Sequence, residues 1–157
     1  MPTPYAEHLN GGDPVEALRT SLADYESRVA TLTPALWNES YAPGKWSAHQ
    51  VMLHVTQWEM FFGVRVRCAL ALPNYVIQPM DQDPFMEIES PTVNGPTAWS
   101  AFRALRTMNI ALAGSLTSAQ RQQSAQHATR GTIDVNDLLI TLAGHAIHHL
   151  KQLQQLR

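Results

Sequence analysis

The chain is short of cysteine, of charge and of long hydrophobic runs. Cys68 is the one cysteine among 157 residues, so no disulfide can form within the chain, and a reducing compartment is expected. Charged residues make up 15%, and eleven Lys and Arg against thirteen Asp and Glu leave a net charge of −2. Without a basic excess there is no electrostatic footprint for a phosphate backbone, which argues against nucleic acid as a partner. Apolar stretches are broken by His, Arg or Gln well short of the roughly 20 residues a membrane span needs. Residues 1–8 have neither the basic start nor the apolar stretch of a secretory signal. Together these absences predict a soluble, cytoplasmic protein with no membrane partner. Repeats and low-complexity tracts are missing, and strand patterns are limited to short ambiguous runs such as 74–77.

What the chain does have is a helical period and seven histidines. Its length suits one domain, read as 1–157 with an N-terminal arm over 1–12. The first helix opens at Asp13-Pro14-Val15-Glu16, with a capping residue, a proline suited to the first turn and a glutamate that completes a capping box. Val15, Leu18, Leu22, Tyr25, Val29 and Leu32 then recur at three- and four-residue steps, until Thr33-Pro34 ends the run. Ser47-Ala48-His49-Gln50 opens the second helix, which runs to about Leu72. Its inner stripe is Val51, His54, Val55, Trp58, Phe61 or Phe62, and Arg65. Residues 73–96 hold five of the ten prolines and form a crossover or site cover. The third helix starts at Thr97 and ends before Gly114. A polar patch over 117–131 has room for one helical turn, and the fourth helix runs from Asp134 to near Arg157. The predicted fold is all-α, a four-helix bundle.

The last helix carries the strongest chemical signal, His145-Ala146-Ile147-His148-His149. His145 and His149 share a stripe with Leu138, Leu142, Gln152 and Leu156, where a bundle helix would ordinarily place leucine. Two imidazoles four residues apart can meet on one metal ion. A polar seam, or rings bonded to backbone, accounts for the pair equally well. His148 is turned about 60° away and falls on the flank. A lone His54 on an apolar face is more often a satisfied core residue. However, it lies seven residues into its helix, and His149 lies eight from the chain end. If the second and fourth helices pack antiparallel, those depths coincide to within about a turn. The third helix must then run parallel to the second, and the crossover is long enough to allow this, giving an up-down-down-up bundle. His8, His49 and His127 are expected at the surface.

Pro43-Gly44-Lys45-Trp46-Ser47, His54 followed by Trp58-Glu59, and His145-x-x-x-His149-x-x-Gln152 resemble the DinB/YfiT-like superfamily of metalloenzymes in order and spacing. The resemblance runs from about Val15 to the end of the chain. It implies a divalent metal, zinc or nickel, on His54, His145 and His149. It also implies activity with low-molecular-weight thiols in some members, bacillithiol S-transferases and a mycothiol-dependent isomerase among them, and frequent dimers.

Three neutral imidazoles would leave the ion's charge uncompensated, so a bound water would be acidified toward a pKa of about 7 for zinc, and a bound thiol would be deprotonated. The expected function is a metal-dependent thiol S-transferase or hydrolase acting on a small molecule. The alternatives are a non-catalytic metal-binding stress-response protein and a metal-free structural cluster. Gln152 either orients a ligand or faces solvent. Glu59, set off the inner stripe and read as solvated or salt-bridged, and Asp81, Asp83 and Glu87 in the crossover are weak general-base candidates. Trp46, Trp58 and Phe62 are core residues first and pocket walls second, and Arg65 either binds an anion or is paired. The broad apolar faces of the helices permit a homodimer.

Overall fold

A computed structural model describes residues 2–89 and 92–156. Among the described residues are six α-helices: α1 (Pro14–Val29), α2 (Ala48–Ala71), α3 (Gln82–Glu87), α4 (Gly95–Ser115), α5 (Ser118–Arg121) and α6 (Val135–Leu153). The four long ones, α1, α2, α4 and α6, form the bundle. Side-chain contacts fix their directions. Thr56 donates to Ala98 O, Glu59 pairs with Arg106 and Arg67 reaches Asn109, so α2 and α4 run parallel. Tyr25 donates to Ala146 O and Arg28 to Leu153 O, so α1 and α6 run parallel. The Ser21–Arg106 and Tyr25–Phe102 contacts make α1 and α4 antiparallel. Trp46 lies by His149 and Trp58 by His145, so α2 and α6 are antiparallel. The order is up-down-down-up, as the histidine depths predict.

The helix starts follow their capping chemistry. Asp13 accepts from the Val15 and Glu16 amides, although Glu16 does not close the box. Ser47 and Asp134 form complete capping boxes with Gln50 and Asp137. Other boundaries shift from expectation. Helix α1 stops at Val29 rather than Leu32, and its Arg28 instead donates to the Leu153 and Leu156 carbonyls at the end of α6. Helix α4 starts two residues early, because Asn94 caps it ahead of Pro96, and it continues through Gly114. Helix α6 stops at Leu153.

A small sheet was not foreseen. Strands β1 (Val76–Ile77), β2 (Ser124–His127) and β3 (Gly131–Asp134) pair in that order, β1 parallel and β3 antiparallel to β2. Only Ile77, Ala125 and Ile133 are buried along it, too few for alternation to register in the sequence. The hairpin turns through Gly131, whose φ of 73° suits glycine. The sheet ties the crossover to the bundle end where α6 begins. Helix α3 also interrupts the crossover, with Asp81 as its cap.

Two apolar clusters fill the interior. One gathers Leu18, Phe62, Val66, Leu138 and Leu142 toward the sheet. The other gathers Tyr25, Met52, Phe102, Leu150 and Leu153 toward the opposite end. Between them lie buried polar side chains: Ser21, Glu59, Arg106 and His145.

Candidate metal centre

His54 projects inward from the first half of α2, and His145 and His149 from the second half of α6; all three are buried. The His54 and His149 Nε2 atoms lie 3.0 and 3.1 Å from His145 Nε2. One ring nitrogen from each lies within 4.8 Å of the other two. Aromatic rings hold them in place. Trp58 stacks on His145 at 4.3 Å between centroids, and Trp46 sits 4.7 Å from His54 and 6.3 Å from His149. Phe62 stacks behind Trp58 and belongs to the core.

Burial, with help from neighbouring imidazoles, pushes His54 down to about 3 and His145 well below its ordinary value of 6.5. Burial also lowers His149 to about 4, partly opposed by its bond to Gln152. All three rings are therefore neutral at pH 7, the state a metal ligand requires. His149 Nδ1 lies 2.8 Å from Gln152 Oε1, so the ring donates from Nδ1 and keeps a lone pair on Nε2.

Hydrogen bonds alone cannot satisfy this cluster. His145 Nε2 carries at most one proton, so it can donate to only one of its two neighbours. His54 Nδ1 is buried without a partner, so a proton on either of its nitrogens leaves a ring atom unmatched. A cation accepting all three Nε2 lone pairs resolves the conflict among the Nε2 atoms and places the His54 proton on Nδ1. Imidazole nitrogens sharing one tetrahedral zinc lie about 3.3 Å apart, close to the spacing here. The donor set and geometry fit a divalent metal.

Above His149 opens a pocket of about 310 Å³. The loop after α1 contributes Tyr41, Gly44, Lys45 and Trp46, α3 contributes Gln82, α6 contributes His148, His149 and Gln152, and the N-terminal segment contributes Tyr5. Among the described residues no carboxylate lines it. A larger depression of about 1020 Å³, between residues 33–41 and the end of α6, contains no histidine.

The other candidates lie elsewhere. Glu59 is the salt-bridged of its two readings, and wholly buried: Arg106 and Asn109 occupy both its oxygens. Asp81, Asp83 and Glu87 are exposed. Arg65 donates to Gln78 O and lies over the Phe62 ring, so it is the paired arginine of the two readings. His127 is on β2, at the sheet end. His8 and His49, expected at the surface, are half-buried: His8 packs on His148, and His49 lines a separate cleft beside Trp37. Tyr5, Tyr41, Lys45 and Gln82 escaped notice as pocket residues, and only Lys45 carried a signal, from its place in the Pro-Gly-Lys-Trp piece.

A four-helix bundle with three inward imidazoles, of which His149 lines an open pocket, defines a class of candidate metalloproteins. The chain belongs to the DinB superfamily, whose sequence model matches residues 17–153. It is 26% identical over 131 residues to a provisionally named metal-dependent hydrolase of Oceanobacillus iheyensis, covering 83% of this chain and 76% of that protein. It is 23% identical over 144 residues to Bacillus subtilis YfiT, also provisionally named a metal-dependent hydrolase, covering 90% of this chain and 81% of that one. The YfiT structure, described as an unusual four-helix bundle, superposes with a TM-score of 0.80 at 22% identity, over 90% of this chain and 82% of that one. A mycothiol-dependent maleylpyruvate isomerase superposes with a TM-score of 0.73 at 13% identity, over 89% of this chain and 59% of that one. Among the described residues no helix is long and apolar enough to cross a membrane.

Proposed function

We propose that this chain is a divalent-metal-dependent enzyme acting on a small molecule, with zinc or nickel on His54, His145 and His149. The observation that carries this reading is the convergence of three neutral Nε2 atoms on one spot beside a pocket open to solvent. A purely structural cluster would need no pocket, and a storage site would have no use for one. When bound, the ion supplies Lewis acidity to whatever fills its open position, water for hydrolysis or a thiol for transfer. The relatives' names favour the hydrolytic branch, and the isomerase neighbour keeps the thiol branch in view.

The chain's own residues then have distinct tasks. Gln152 fixes the tautomer and angle of His149. Trp58 and Trp46 hold the rings and exclude water from beneath them. Lys45 places positive charge on a pocket wall that has no acid, which favours an anionic substrate. Among the described residues no carboxylate lines the pocket, so proton movement falls to the pocket's polar groups or to solvent.

The test is elemental analysis of untagged protein and of the H149A variant, followed by a screen with esters, amides, and small thiols with electrophiles. Wild type should carry one ion per chain, and H149A should lose both the ion and any turnover. Full metal retention in H149A would sink the assignment.

A further inference from the structure

The sequence model of the superfamily starts at residue 17, but the pocket has a wall that starts earlier. Tyr5 adopts a left-handed backbone (φ 61°) ahead of the short turn Ala6–Leu9. Its ring meets His145 edge-on at 5.3 Å and His148 at 5.5 Å. Gly144 lets the arm approach this closely: a Cβ there would collide with Tyr5 O. Thr3 bonds to Asp137, and Lys151 lies 3.1 Å from His8 Nδ1, so the arm is anchored on both sides of Tyr5.

We propose that Tyr5 is a specificity-determining residue of this site: its ring, pinned through Gly144, covers His145 and limits what can reach the three imidazoles from the α6 side. The proposal rests on the metal reading above, but part of its test does not. The role is steric, so the ring matters and the hydroxyl does not. Tyr5→Phe should behave as wild type, and Tyr5→Ala should open the wall. Gly144→Ala should open it from a distance, by displacing the arm while giving α6 a better helix former.

Two rates read the wall. In zinc-loaded protein, capture of the ion by a chromogenic chelator should be about tenfold faster in Y5A and G144A, as expected if the docked arm is closed about nine-tenths of the time. In metal-free protein, modification of His145 and His149 by diethyl pyrocarbonate, mapped by peptide mass, should accelerate similarly. Y5F should stay within twofold of wild type in both assays, and circular dichroism should show an unchanged bundle. Unchanged rates in Y5A and G144A would overturn the proposal. So would a Y5F rate as fast as that of Y5A. Wild-type protein that takes up no zinc would defeat the metal reading alone, and the metal-free modification rates would still decide the role of Tyr5.

Discussion

Replacing Arg106 by methionine should be far more damaging than replacing Arg106 and Glu59 together. Arg106 is wholly buried on α4, and its Nε donates to Glu59 Oε2 at 2.9 Å. Its Nη2 lies 2.8 Å from the same oxygen, close enough for charge attraction but off-line for a hydrogen bond. Nη1 donates to Ser21 Oγ at 2.9 Å. Removing the guanidinium leaves a carboxylate with no exposed surface and only the Asn109 amide for company. An orphaned buried charge of this kind costs about 3–5 kcal/mol, against a whole-domain stability of roughly 5–15 kcal/mol. The double variant R106M/E59L orphans no charge; its one loss is the acceptor Glu59 Oε1 for an Asn109 amide hydrogen. Ser21 still donates to Leu18 O, and Asn109 still donates to the backbone carbonyl at position 59 and accepts from Arg67. It should lie within about 2 kcal/mol of wild type. Urea unfolding at pH 7, followed by far-ultraviolet circular dichroism, measures all four corners of the cycle. If the single variants cost under about 1 kcal/mol each and the double shows their sum, the pair is not the coupled element described here.

Two further outcomes concern the site. K45M should weaken binding of a mercaptocarboxylate to the metal-loaded protein by about tenfold, with little change for neutral mercaptoethanol, measured by calorimetry; equal losses for both would exclude a charge role for Lys45. Metal-free protein should lose stability as pH falls below 6.5, because the unfolded chain binds protons that the buried rings refuse. With His54 depressed to about 3 and His149 to about 4, each costs about 2 kcal/mol at pH 5. Urea midpoints at pH 7 and pH 5 in the presence of chelator should show this drop, and it should shrink in H54L/H149L. A drop of equal size in that variant would assign the acid sensitivity to other groups.

The bundle was legible because its signals repeat. Capping residues at Ser47 and Asp134 and apolar steps such as Val15, Leu18, Leu22 and Tyr25 each state one fact several times over. The depths of His54 and His149 then set the helix directions. The sheet states its case once, through Ile77, Ala125 and Ile133, and no periodic signal can build on three residues. Glu59 was legible as one half of a salt bridge but not as a buried one, for a related reason. Its stripe position places it away from His54, but a helix enclosed by α4 and α6 buries more than one stripe, and the partner that neutralises it is 47 residues away.

The same difference separates the floor of the candidate site from its rim. The floor belongs to a buried polar layer that crosses the bundle between its two apolar clusters, with Ser21, Arg106 and Glu59 toward α1 and α4 and His145 toward α6. On the first side the polar groups satisfy one another, and the result is a structural pair. On the other they do not: three neutral rings converge through Nε2 atoms with more lone pairs than protons can fill. Folding tolerates such a deficit only where something outside the chain removes it, so the unsatisfied half of the layer is the half that points to a ligand. The rim is assembled from Tyr5, Tyr41, Lys45 and Gln82 on the arm, the loop and α3, where no helical period dictates the residue. Helical spacing therefore constrains where the ligands stand, whereas the groups that would choose a substrate come into view only once the chain is folded.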